Sequence, residues 1–225
     1  CIRDRINIER FDEKMKLEQN RRLVTYYSLL TQMRVNGGND YINLVNSILS
    51  GKCNQQACLE NYDFKVMSDF NRFNNLQQKL EDEFTLSRMI AGYAWEWKSK
   101  KDKSLYDMEL DGVKKQWNYR LENWVLSEGA DKQVGCIHTI QGFDLNYGFV
   151  IMGNEIGYDP ESKEIIVRPE NYYDQNGRKT ASKEELLEYI KHIYYVLMTR
   201  GIKGTYLYIC DDNLRKYVSS IIGEI

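Results

Sequence analysis

Apolar residues recur at helical spacing over residues 12 to 34, with Leu23, Tyr26, Tyr27, Leu30 and Met33 on one stripe that breaks at Asn36-Gly37-Gly38. Asp40 is placed to cap a second helix running to about Leu49, because its carboxylate can accept from the unpaired amides of a first turn. Phe64 to Met67 reads as a short strand. Asp69 or Asn71 then caps an amphipathic helix that turns Phe73, Leu76, Leu80 and Phe84 inward, and Ser87 to Trp95 reads as a strand again. A strand, a helix and a strand in that order build a parallel sheet, since the crossover needs a helix to return the chain. Val134 to His138 and Phe149 to Met152 are apolar enough to lie at the centre of such a sheet. Tyr158 to Thr180 is a polar loop in which Ile165 to Val167 forms one strand of a hairpin-like excursion. Ser182 and Glu185 form a capping box at the head of a helix to Met198 whose Leu186, Ile190, Ile193 and Leu197 face inward. Thr205 to Ile209 is the last core strand, and a short helix over Asp212 to Ile222 closes the pattern.

Between Trp95 and Asp131 the periodicity gives way to lysines and tryptophans, which predicts an insertion or loop with one short helix. The 225 residues are 42% hydrophobic and 28% charged with mixed sign, the composition of one globular body and not of a disordered tail. A net charge of −2 leaves the chain as a whole without the basic footprint of a dedicated nucleic-acid binder, so any such contact is local. The one dense basic stretch is Lys98, Lys100, Lys101 and Lys103, broken by Asp102, and it also reads as a solvated loop. Five cysteines with no C-x-x-C pair, of which only Cys136 stands near a histidine, predict mostly buried thiols in place of a zinc site or disulfide framework. The apolar runs fall far short of the roughly 20 residues that span a bilayer, so no membrane and a cytoplasmic address are expected. The chain opens on Cys1 instead of methionine, and a piece of a longer protein is expected.

Three segments bear polar groups suited to chemistry. Residues 136 to 152 read as a strand, a polar turn and a strand, with Thr139, Gln141 and Asp144 in the turn, expected at the sheet end where ligands bind in open parallel sheets. Taken alone it is also an ordinary turn. Thr199 and Arg200 stand where a helix passes into a strand, from which a guanidinium can reach a phosphate across a domain boundary or merely complement the helix dipole. Gln32 and Arg34 stand at a helix end before the glycine pair. Trp95 and Trp97, just ahead of the lysine run, can stack nucleic-acid bases beside a phosphate track or pack the insertion.

In combination these segments carry a resemblance. Thr-Ile-Gln-Gly-Phe-Asp at 139–144 resembles motif V of UvrD-like superfamily 1 helicases, Val-Leu-Met-Thr-Arg-Gly at 196–201 resembles motif VI, and Gln-Met-Arg at 32–34 resembles motif IV. With Ser-Arg-Met-Ile-Ala-Gly-Tyr-Ala-Trp-Glu-Trp-Lys at 87–98 added, the set is similar to the C-terminal part of a bacterial family of unknown function allied to Schlafen-type helicase domains, over about Leu29 to Asp211. The resemblance implies an α/β, RecA-like three-layer fold with a mainly parallel sheet. Residues 1–28 are then a helical lead-in, residues 29–225 the second RecA-like helicase domain, and approximately 96–132 its Trp/Lys-rich insertion.

The same resemblance implies the roles. Arg200 is the arginine finger and Arg34 a second γ-phosphate contact. Asp144, where these proteins usually have glutamate, bonds the ribose, and Gln32, Gly142 and Thr199 belong to the nucleotide site. His138, Thr139 and Gln141 belong to the track for nucleic acid, DNA or RNA, to which Trp95 and Trp97 would add on their own position beside the lysine run. ATP with Mg2+ would be bound only with the N-terminal RecA-like domain of the same protein. No G-x-x-x-x-G-K-[ST] occurs here: Gly51-Lys52 is followed by Cys53, and position 46 is asparagine. No apolar strand ends in paired acids either, so the metal is expected on the missing domain and this piece alone is expected to be inactive. Two other classes remain: a non-catalytic interaction module of the same shape, and a metal-dependent nuclease built on Asp159, Glu161 and Lys163.

Overall fold

The structure is a computed structural model that describes residues 34–54, 56–120, 122–174 and 181–225. The helix expected over 12 to 34 lies outside the described residues except for Arg34, and Gln32 lies outside them too. The described elements are α1 (Gly38–Leu49), β1 (Asp63–Val66), α2 (Phe70–Phe84), β2 (Ser87–Ala91), β3 (Met108–Leu110), β4 (Val113–Lys115), β5 (Val134–Gly135), β6 (Leu145–Met152), β7 (Ile156–Asp159), β8 (Glu164–Val167), α3 (Lys183–Met198), β9 (Gly201–Ile209) and α4 (Asp212–Ile222).

One five-stranded sheet in the order β1-β9-β6-β2-β5 forms the middle layer, and every pairing in it is parallel. Strict alternation along its central strands builds the two other layers. Ile90, Val150, Met152, Leu207 and Ile209 point to the face covered by α1, α3 and α4, where they meet Leu44, Ile48, Ile190, Leu197, Leu214 and Val218. Met89, Ala91, Phe149, Ile151, Tyr206 and Tyr208 point to the other face, against Phe70, Phe73 and Leu80 of α2. Phe73 meets Phe149 edge to face at 5.0 Å, and Phe149 stacks on Tyr206 at 5.0 Å. The chain is thus an α/β protein, with a parallel sheet buried on both faces as its apolar strands require.

Caps explain the helix starts. Asp69 accepts from the Arg72 amide at 3.0 Å, Asp211 from Leu214 at 2.7 Å, and Ser182 with Glu185 closes the expected capping box. Asp40 differs from expectation: α1 starts two residues earlier, at Gly38, behind Gly37, which leaves Asp40 inside the first turn, where its charge faces the positive end of the helix dipole.

Two strands are shorter than their apolar text. β2 ends at Ala91 because Gly92 lets the Glu155 carboxylate and Tyr194 hydroxyl approach closely, at 2.8 Å each from where a Cβ would stand. β5 ends at Gly135 because Thr139 bonds back to Cys136 and coils the chain. The insertion holds three 3-10 turns and a hairpin that the helical reading overlooked. Its signal was present: Asp111-Gly112 joins β3 to β4 with both φ positive, the two-residue turn that matches strand twist. The excursion expected near Ile165 is the antiparallel pair β7 and β8. Among the described residues no helix is long and apolar enough to cross a membrane.

Trp124 plugs the insertion onto the sheet. Its ring is fully buried over Gly135, and its indole donates to Gln133 at 3.0 Å. A Cβ on Gly135 would stand inside the contact distance of three atoms of that ring. Gly135→Ala is therefore expected to destabilise the fold by about 1–3 kcal/mol, the usual range for overpacking, lowering the thermal midpoint by several degrees. An unshifted midpoint by calorimetry would contradict the packing described.

Candidate functional site

The polar candidates collect at the two opposite ends of the sheet. At the amino ends of β6 and β9, Asp144 immediately precedes one strand and Arg200 the other, and the two segments are tied by the Leu145 amide donating to the Arg200 carbonyl at 2.9 Å. Arg34 joins them from far away in sequence. Its Nε donates to Asp144 Oδ1 at 2.8 Å, with the side chains 45% and 46% exposed.

Arg200 sits lower and half-buried, and its Nε is buried with no hydrogen-bond partner. Burial, with the Arg34 guanidinium beside it, depresses the Arg200 pKa, while Asp144 acts in the opposite sense. Two guanidiniums face one carboxylate, an excess of positive charge suited to an anion.

Local structure explains these placements. Thr199 terminates α3 by donating its hydroxyl to the carbonyls of Tyr195 at 2.9 Å and Val196 at 3.2 Å, so its oxygen serves the helix end and turns the chain toward Arg200. β9 then carries one extra residue against β6: Leu145 pairs with Gly201, but Tyr147 pairs with Gly204. This bulge turns the Ile202 carbonyl out to accept from the Asn36 amide at 2.9 Å, which holds the Arg34 segment beside Arg200. Gly201 and Gly204 are required there, since a Cβ on Gly204 would stand 2.7 Å from Asp63 Cβ and one on Gly201 would strike the Gly204 carbonyl. The two glycines around Ile202 and Lys203 were the sequence signal for the bulge, and it was overlooked.

The turn at 136–144 was expected to place its polar residues together at one end of the sheet. Instead it runs the height of the sheet: Cys136 lies level with the carboxyl end of β2, and Asp144 lies at the amino end of β6. Short helical turns span the distance, with Ile140 buried beneath them. Thr139 is buried, and its Oγ1 accepts from the Cys136 amide at 2.8 Å and donates to the Cys136 carbonyl at 3.0 Å. Gln141 and Gly142 are exposed on its crest, with Gly142 at φ +86, where glycine is favoured.

His138 is exposed at the carboxyl end and begins an aromatic row: His138 to Tyr93 at 6.1 Å, Tyr93 to Trp117 at 5.2 Å, Trp117 to Trp97 at 6.0 Å, with Lys100 Nζ 5.0 Å over Trp97. Trp95 packs over Gly153 beside the row, and both Trp95 and Trp97 are half-buried against the α2 face of the core.

The same end holds a buried acid that the sequence reading passed over. Glu155 is 1% exposed; Tyr194 donates its hydroxyl to one carboxyl oxygen, and the other has no partner. Burial raises its pKa to about 7, although the Tyr194 bond acts the other way. The signal was an acid just beyond the most apolar strand, and a tyrosine on the inward stripe of α3.

The nuclease candidates do not gather. Asp159 accepts from the Glu161 amide and the Ser162 hydroxyl within the β7–β8 turn, and no group of three metal-ligating side chains occurs among the described residues.

The fold and the candidate residues thus define a three-layer α/β domain with a cationic cluster at one end of its parallel sheet and an aromatic row at the other. The profile of the Schlafen group 3 DNA/RNA helicase domain matches residues 3–211, and the chain belongs to that family. It is also 31% identical over 215 residues to the uncharacterized protein YPL245W of Saccharomyces cerevisiae, a match covering 85% of this chain and 47% of the yeast protein. The chain therefore spans about half the length of the curated relative it matches. No solved structure matches.

Glu155 yields a pH prediction. Its folded pKa of about 7 exceeds the ordinary 4.5, so the native state holds the proton more tightly; the group's contribution is most favourable below the lower value and is lost as pH rises to the upper. Glu155→Gln keeps the shape without the charge. Its stability relative to the unsubstituted chain is expected to rise by about 2–3 kcal/mol between pH 5 and pH 8, read from urea midpoints. A difference that does not change with pH would refute a buried, protonated Glu155.

Proposed function

We propose that this chain is the second RecA-like domain of a superfamily 1 helicase-type ATPase, which supplies the arginine finger and part of the nucleic-acid track to a site completed by another domain. The observation that supports it is the convergence of Arg34, Asp144 and Arg200, three residues from distant segments, at one end of the sheet. Membership in a DNA/RNA helicase family supports the nucleic-acid half of the reading.

Arg200, with Nε buried and unpartnered, lies against the γ-phosphate of ATP, where its planar donors stabilise charge that develops on the transferred group. Arg34 gives a second phosphate contact. Asp144 exchanges Arg34 for the ribose hydroxyl, and the exposure of the pair makes that exchange cheap. Gly142 and Thr199 complete the nucleotide side among the described residues, with Thr199 acting on the helix end that delivers Arg200, and the same role is assigned to Gln32 on its motif alone. Mg2+ would neutralise phosphate charge and would be held by the partnering RecA-like domain; among the described residues no group of three metal-ligating side chains gathers.

At the other end, His138 reaches phosphates or bases and Trp95 and Trp97 stack them, and Gln141, on the crest of the connecting turn, extends the track. Thr139 orders the turn between the two ends, so a change at the nucleotide can be felt at the track. Without the partnering domain this chain binds ATP weakly and hydrolyses none.

In the full-length protein, Arg200→Ala is expected to leave the melting temperature within a few degrees and to lower ATP turnover by roughly a thousandfold or more, the scale of an arginine finger. Turnover that survives the substitution would remove Arg200 from the mechanism. A full-length protein without hydrolysis would favour the non-catalytic interaction module.

A further inference from the structure

We infer that the buried hydroxyls of Tyr41, Tyr62 and Thr205 are a positioning device that fixes the reach of Arg200, and through the adjoining turn that of Arg34. The significance of that reach rests on the reading of Arg200 as an anion contact.

The last carbonyls of a helix have no partner within it. At the end of α3 the Met198 carbonyl accepts from Tyr41 Oη at 2.8 Å and from Thr205 Oγ1 at 3.0 Å. Three residues on, at the start of the bulge in β9, the Gly201 carbonyl accepts from Tyr62 Oη at 3.0 Å. Tyr62 Oη and Thr205 Oγ1 lie 2.8 Å apart, which joins the two clamps. The two clamped carbonyls bracket Thr199 and Arg200 and nothing else.

The proton count closes. Three hydroxyls carry three protons; Tyr41 gives its own to Met198 and Tyr62 gives its own to Gly201, which leaves Thr205 to donate to Met198 or to Tyr62. Burial raises the Tyr41 pKa well above the ordinary phenol value and that of Tyr62 to about 12, so both remain neutral donors at physiological pH.

The device extends to Arg34. The Tyr41 and Tyr62 rings lie 4.2 Å apart, and Gly37 is pressed so closely on both that a Cβ there would stand 2.7 Å from Tyr41 Cβ and 3.1 Å from Tyr62 Cγ. Gly37 follows Asn36, whose amide is bound to Ile202 in the same bulge. Phenylalanine and valine would fill this space without desolvating any hydroxyl, so packing alone does not account for three of them. A requirement for accuracy does, because a contact to a transferred group loses on the order of a hundredfold in rate for a displacement of about 1 Å.

The test uses this chain labelled with 15N-arginine. The Arg200 Nε–Hε signal, assigned with Arg200→Lys, reports its position, and added pyrophosphate reports its chemistry. Tyr62→Phe and Thr205→Val are expected to shift or broaden the Arg200 signal in the free chain and to weaken pyrophosphate binding about tenfold, while Thr205→Ser restores both. Tyr41→Phe serves as the third probe if either of the first two does not fold. An Arg200 signal unmoved in the folded hydroxyl-deleted variants overturns the inference, whatever pyrophosphate does. If pyrophosphate leaves the Arg200 signal of the unsubstituted chain in place, the anion-contact reading fails, and the free-chain signals still decide whether the hydroxyls position Arg200.

Discussion

The parallel pairing of β6 with β9, and the one residue by which those strands fall out of step, is the constraint on which the rest of the structure depends. Central strands buried on both faces cannot leave backbone groups unpaired, because an unsatisfied buried amide or carbonyl costs about as much as a typical hydrogen bond contributes several times over. The extra residue in β9 therefore has to be resolved by partners from outside the sheet. Asn36 and Tyr62 supply them, and in doing so they draw the segment bearing Arg34 and the turn bearing Arg200 to one place. A perfectly regular ladder at this point would have no carbonyl to offer either of them.

The two ends of the sheet have different chemistry for a physical reason. At the amino end the chain enters strands from a helix terminus and a turn, so Asp144 is delivered with its carboxylate toward solvent, where Arg34 meets it, and Arg200 is held half-buried beside them. The carboxyl end is roofed by the insertion and the β7–β8 hairpin, and its polar groups are enclosed among aromatic rings. Enclosure raises the pKa of Glu155 to about 7, and that of Cys210 to about 12. The turn from Cys136 to Asp144 also joins the two ends, and its Ile140 and Thr139 are buried against the sheet.

Much of this was legible in the residues. The capping box at Ser182 and the Asp69 cap rest on interactions within a few residues, which is why pattern and structure agree there, whereas β6 and β9 each begin four residues ahead of the apolar runs at Phe149 and Thr205. The motif strings placed Arg34, Asp144 and Arg200 in one functional set, and the fold brings these three together. What escaped was whatever depends on contacts remote in sequence. Asp40 has the chemistry of a cap, but Gly37 precedes it into the helix because Tyr41 and Tyr62 press on that backbone. The long reading of β5 failed because two bonds from Thr139 outcompete the ladder. Glu155 resembles any loop acid until Tyr194, 39 positions away, is seen to enclose it. The hairpin at Asp111-Gly112 is the exception, a local signal that was simply outweighed by the tryptophans around it.

The most direct test of the central claim is nucleic-acid-stimulated ATP hydrolysis, measured side by side for the full-length protein and for this 225-residue chain. The proposed function predicts turnover in the full-length protein that rises with added nucleic acid and none in the chain alone, since on that proposal the cationic cluster is half of a divided site. Turnover by the isolated chain, or its absence from both, would contradict it.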